Sequence, residues 1–246
     1  MTSPRLRVPT PAIVATAGED YKLPEPIPST LETTRQSSKP KLLSLDELPE
    51  WYQDSQHIRY GYRPVSGSVI TSFLSWGYIH NETINIFSHL IPALGFAIAE
   101  WYLLQYLHSQ YARVNIADDF IFAFFLFTAA ACLGLSSTYH TLINHSRALE
   151  ALWLRLDFVG IVLLTIGDFV SGIYMSGMPY YLIEGGFLCL GVIVFVTRFP
   201  ESISPGTFDI YGSSHQIFHV LVAMATVTQL VGILAAFDYN YHRRIC

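Results

Sequence analysis

From Phe120 to Ser146 the chain carries no Asp, Glu, Lys or Arg. At 1.5 Å per residue, such a segment is long enough to cross the roughly 30 Å hydrocarbon core of a bilayer as one helix. Four more apolar stretches repeat the pattern. The spans are expected at about 84–107, 119–143, 152–175, 180–197 and 216–237. Composition agrees, since 51% of the 246 residues are hydrophobic and 13% are charged, about half the charged share of an ordinary soluble domain. The fold class is therefore all-α, a multi-pass transmembrane helical bundle of about five spans. The expected location is an integral one, in the plasma membrane or an endomembrane.

The N-terminal part differs in kind. Residues 1–41 are rich in Pro, Ser, Thr and charge and show no apolar periodicity, which predicts a disordered tail. No run there is long enough for a signal-peptide core. Residues 42–80 bring Trp51, Tyr52, Tyr60 and Tyr62 together with mixed charge, as an amphipathic segment lying on the membrane surface does. Residues 81–246 then form the transmembrane domain. Cys132, Cys189 and Cys246 are scattered, so neither a disulfide framework nor a cysteine metal site is indicated. No nucleic-acid motif or basic patch appears, and membrane lipids are the expected partners.

Lys and Arg beside the spans predict orientation. Arg59, Arg63, Arg147 and Arg198 fall on one side and Arg113, Arg243 and Arg244 on the other, which makes the N-terminus cytoplasmic; the C-terminal pair counts against the bias. Asn81 and Asn144 stand in glycosylation sequons that this topology keeps on the cytoplasmic side, unmodified.

On this frame the polar residues gather at one depth. Glu82, Asn85 and His89 share a helix face at the start of the first span, while Ser136 and His140 stand one turn apart at the end of the second. Asp157 lies in the first turns of the third span, and His215 and His219 open the last. All fall at the cytoplasmic ends of their helices, and ionisable groups near hydrocarbon usually face a bundle interior or cavity. Two histidines one turn apart present their rings to one ion, and a third from a neighbouring helix leaves a fourth position open, as in a catalytic zinc site. "HQIFH" lacks the Glu of the soluble metalloprotease motif. Asp157 is then the available base for a zinc-bound water, whose pKa falls to about 7. The plainer alternatives are histidines that form the polar lip of a hydrophobic helix and a His140 and Asp157 that are satisfied between helices. Glu82, Asn85 and His89 either cap the first span or support the metal ligands from behind. Asp168 suits a water-lined interior, Glu100 and Glu184 belong near the outer interface, and His80, His108, His145 and His242 have no role.

"ETINIFSH", "STYH" followed by Asp157, and "HQIFH" together resemble the signature motifs of the progestin and adipoQ receptor family, which includes haemolysin III-like proteins and adiponectin receptors. "LPEWYQDSQHIRYGYRP" and "TRFPE" are similar to its fungal members. The resemblance covers about residues 45–243 and implies a seven-helix bundle with a cytoplasmic N-terminus. It implies zinc held by His140, His215 and His219, a water bridging zinc to Asp157, and Ser136 as a hydrogen-bond donor to the site. It also implies lipid signalling, ceramidase-type amide hydrolysis on a ceramide-like lipid, and in fungi a link to zinc and sterol homeostasis. The chain departs from the pattern in length. Between Asp157 and His215 there is room for the rest of one span, one more span and a loop, and "LIEGGFLCLGVIVFVTRFPE" resembles the family's sixth helix, so the fourth and fifth are missing, as in a splice variant or a gene-model error. Three functional expectations follow: a zinc-dependent lipid amidase, a non-catalytic receptor or zinc- and sterol-homeostasis protein with structural zinc, and an inert short form that pairs with itself or with related membrane proteins.

Overall fold

The computed structural model describes residues 41–53, 55–112, 114–175 and 178–243. The expected disordered tail, apart from Lys41, lies outside the described residues, as do Arg113, Arg244 and Cys246. A two-stranded antiparallel ribbon, β1 (Leu43–Ser44) with β2 (Tyr60–Tyr62), comes first. Six α-helices follow: α1 (Val69–Leu74), α2 (Thr83–Gln110), α3 (Ile116–Leu142), α4 (Arg147–Met175), α5 (Met178–Thr197) and α6 (Ser214–Arg243). The five from α2 to α6 are long and apolar enough to cross a membrane, so the protein is an integral multi-pass membrane protein.

Their bounds reach beyond the apolar windows where polar groups extend the helices. Asn115 accepts hydrogen bonds from the Ala117 and Asp118 amides and starts α3. The hydroxyl of Ser146 accepts from the Leu149 amide, so α4 begins with the polar turn at Arg147. The buried Glu201 accepts from both the amide and the hydroxyl of Ser214. A carboxylate at that position satisfies an orphan N–H of α6 and complements the helix dipole.

Helix α3 is the centre of the bundle, packed along its length on α2 and α4. Small residues allow this. A Cβ at Gly160 of α4 would lie 3.0 Å from the Cys132 Cα of α3, and one at Gly167 would meet Thr128, as expected where backbones approach closely inside a membrane. Helix α6 packs on α5 and, less extensively, on α2 and α4, whereas the backbones of the consecutive α4 and α5 come close at few points, their contact being chiefly through Tyr181 of α5, which donates to the Asp168 carbonyl of α4 and stands against Gly172. The apolar core runs through α2, α3, α4 and α6, with Phe122, Phe125, Leu126 and Leu133 fully enclosed.

The segment at 42–80 is not an amphipathic element resting on the membrane surface alone. Leu48, Tyr52, Ile58 and Tyr62 are buried in a second core with Tyr139 and Ile143, across the end of the bundle. Backbone bonds tie it to the α3–α4 turn, with the Ser66 amide donating to the Asn144 carbonyl at 2.9 Å, and to the α5–α6 loop, with the Gly206 amide donating to the His57 carbonyl at 3.0 Å. Its broadest apolar exposure is on α1, at Ile70 and Leu74.

Candidate metal centre

The cluster is assembled at the end of the bundle covered by this segment. Gln216, in the first turn of α6, donates to the carbonyls of Asn81 and Ile210 and accepts from the Gly212 amide at 2.7 Å. These bonds fix α6 against the start of α2, and with it His215 and His219. His140 arrives from the last turn of α3, where the fully buried Arg63 donates to the carbonyls of His140 at 2.6 Å and Thr141 at 3.0 Å.

Among the described residues, the only group of three His, Cys, Asp or Glu side chains close enough to hold a metal ion is His140, His215 and His219, whose ligand atoms all lie within 4.8 Å of one another. Ring centroids stand 5.0 Å apart for His140 and His215, 4.6 Å for His140 and His219, and 4.9 Å for His215 and His219. The ring nitrogens are sorted by their neighbours. Glu82 accepts from His140 Nδ1 at 2.8 Å, which leaves a buried Nε2 with no protein partner. His219 Nδ1 faces the Asn85 carbonyl at 3.2 Å, an acceptor only, so this nitrogen carries the proton and Nε2 bears the lone pair. Holding the far nitrogen of each ring is how proteins orient imidazole metal ligands.

Glu82, Asn85 and His89 stand behind these rings. Asn85 donates to Glu82 Oε2 at 2.8 Å, and Asn81 donates to Glu82 Oε1 at 2.8 Å. Burial raises the cost of the Glu82 charge, yet the hydrogen bonds from His140 and Asn85 and the nearby Arg63 charge hold the carboxyl below its usual value. His89 Nε2 faces the His219 carbonyl at 3.1 Å, and the two rings stack with centroids 3.9 Å apart. Ser136 and Asp157 line a cavity of about 600 Å³ that also touches His89, His215 and His219. Its walls are largely apolar, with Leu164, Leu188, Val192 and Val222 among them, and Trp51 and Tyr52 line it as well. The volume lies in the range of sites for small organic ligands.

One expectation is corrected: His80, expected to have no role, is buried, and its Nδ1 accepts from the Glu82 amide at 3.1 Å. Glu184, expected near the outer interface, stands in the second turn of α5 and is buried against the Asp168 carboxyl of α4. Arg63, Glu201 and Gln216 had no site role in the sequence reading. Arg63 gave only a positive-inside signal, and "TRFPE" marked Glu201 without indicating what it binds.

A family model for haemolysin-III related proteins matches residues 77–180 and 175–230. The chain belongs to this family of multi-pass helical membrane proteins. It is similar to the ADIPOR-like receptor IZH2 of Saccharomyces cerevisiae, 30% identical over 80% of this chain and 84% of that protein. It is 29% identical to the progestin and adipoQ receptor-like protein 1 of Caenorhabditis elegans, over 78% of this chain and 60% of that one. Heptahelical transmembrane protein 1 of Arabidopsis thaliana is 25% identical over 82% of this chain and 83% of its own length. The yeast alignment runs over 269 positions but uses 80% of the 246 residues, about 197, so about 72 positions face no residue of this chain, room for two helices of about 20 residues and their loops. The two family matches meet at 175–180, the joint between α4 and α5.

Proposed function

We propose that this chain is a zinc-dependent hydrolase of a lipid amide, of the ceramidase type, working within the membrane. The observation that carries the reading is the buried His140 Nε2, turned to no protein group and clustered with His215 and His219 beside a largely apolar cavity. Three imidazoles, two of them with the far nitrogen held by Glu82 and the Asn85 carbonyl, fit zinc, which takes neutral histidine readily and leaves a fourth position open in catalytic sites. His140, His215 and His219 would hold it, and when bound it supplies Lewis acidity toward a carbonyl or water.

The residues around the cluster have distinct tasks. Asp157, on the cavity wall, takes the proton of the attacking water, and the Ser136 hydroxyl beside it orients the carboxyl. Overall, the water's OH joins the acyl carbon, the C–N bond breaks, and the proton passes to the departing amine nitrogen. Leu164, Val192 and Val222 shield the acyl chain from water. A ceramide-like lipid has the required amide between apolar chains.

A second reading is favoured by the weak packing between α4 and α5. A bundle open on that side suits a non-catalytic lipid or sterol receptor, or a zinc-homeostasis protein with structural zinc, and offers a side on which another copy or a longer relative would pair. Zinc analysis of the purified, detergent-solubilised chain comes first. About one zinc per chain, lost in His140→Ala and in the His215→Ala/His219→Ala double variant, is expected. Asp157→Asn then decides between the readings: it abolishes lipid amide turnover and keeps zinc in a hydrolase, while ligand binding without turnover in the wild type supports the receptor. A well-folded chain without zinc sinks both zinc readings and leaves an inert short form.

A further inference from the structure

His215 is a wall shared by two cavities. One is the apolar cavity already described; the other is a chamber of about 20 Å³ between α2 and the α5–α6 loop, lined by Asn81, Glu82, Asn85, Arg198, Glu201, Asp209, Ser213 and His215, with Ile58 and Tyr62. The polar groups on it are mostly committed elsewhere. Glu201 accepts from Ser214, Asp209 accepts from the Arg59 amide at 2.9 Å, and Glu82 accepts from His140. Two acceptors are different: Asn81 Oδ1 and Asn85 Oδ1 are buried, on side chains 7% and 4% exposed, and no protein donor reaches either.

A pair of buried amide oxygens requires a donor with two protons to give, and a chamber of this size has room for one small molecule. The larger cavity has polar groups of its own at Ser136, Asp157 and Asp168, but most of its surface is apolar and takes the lipid in the hydrolase reading, so a water held beside the cluster while the lipid is bound needs a separate polar site. We propose that the chamber is a specific water site, in which one ordered water donates to Asn81 Oδ1 and Asn85 Oδ1, and that it is the port through which water reaches the histidine cluster past His215. The lipid and the water thus approach the cluster from opposite sides of one ring. The water site stands on its own geometry; the port rests on the hydrolase reading.

Ser213→Val tests both parts, since its methyl groups enter the chamber while the hydrogen bonds of His140, His219 and Glu82 involve other residues. In the zinc-loaded variant, turnover of a short-chain ceramide falls by about tenfold or more with KM and zinc content unchanged. A map of the wild type that resolves ordered solvent shows a peak within hydrogen-bond distance of both amide oxygens, and the variant lacks it. A wild-type map without that peak overturns the water site. Wild-type turnover in the variant overturns the port and leaves the hydrolase reading intact, whereas a zinc-loaded wild type that cleaves no lipid amide removes the hydrolase reading and the port together.

Discussion

At the start of α2 the Glu82 side chain makes no capping hydrogen bond. Its carboxylate accepts from Asn81, Asn85 and His140 instead, so it acts on the cluster through His140 Nδ1. Glu82→Gln keeps the shape and loses the charge. It should weaken zinc binding by about 10–100-fold, measured by competition with a chelator; unchanged affinity would mean that another group sets the His140 tautomer. His80 supports Glu82 from the backbone side and is itself acid-sensitive. Burial foremost, with the Arg63 charge beside it, pushes its imidazole from the ordinary 6.5 down to about 3 against the pull of Glu82. The folded value lies below the unfolded one, so the unfolded chain binds more protons between the two. The His80 contribution is then complete above about pH 6.5 and drains away as pH falls toward 3. His80→Asn, which keeps a hydrogen-bond acceptor, should flatten the acid side of the thermal-midpoint profile in detergent; an identical profile would remove His80 from it. The cluster histidines and Asp157 were legible in sequence because helical spacing and depth constrain them. Arg63 and His80 were not, because a charged or polar residue outside a span reads as solvated until the folded segment buries it.

At the scale of elements, the joint between α3 and α4 sets how Asp157 of α4 stands to Ser136 and His140 of α3. It depends on Gly160, whose Cα faces the Cys132 backbone, a neighbour that cannot rotate away. Gly160→Val should force the two helices apart and cost roughly 1–3 kcal/mol, read as a lowered thermal midpoint in detergent. A variant as stable as the wild type would show that the α3–α4 contact tolerates a wider separation. The spans themselves were legible because apolar runs of that length have few other fates in water. Their true starts were not, since Ser146 and Glu201 extend α4 and α6 through polar turns that hydropathy discounts. The packing of the segment at 42–80 was not legible for a related reason. Its aromatic and charged mixture suits an interface, but Tyr52 and Tyr62 find a better apolar environment against Tyr139 and Ile143.

At the scale of the whole molecule, an odd number of spans puts the two ends of the described chain on opposite faces of the membrane. Removing two helices from a seven-span pattern preserves that parity, so the last turn of α3 and the first of α6 still meet at one depth, where His140, His215 and His219 gather. On the Arg bias this end is expected in the cytoplasm. Sugar on Asn81 or Asn144 would argue against it, but silence there is weak support, because both side chains are buried and hydrogen-bonded in the fold whichever side they face. Tags on the two ends are the sharper probe. An N-terminal epitope should be reached by antibody only after the membrane is permeabilised, and a sequon appended after Cys246 should be glycosylated in the lumen. The weak point is α5, the shortest span at 20 residues and the least buried in the bundle. If α5 fails to cross, α6 must run in the opposite sense, its first turn leaves the face that holds His140, and both ends are found in the cytoplasm. That outcome would dismantle the histidine cluster as well as the topology, so the tag experiment tests the site without any metal being present.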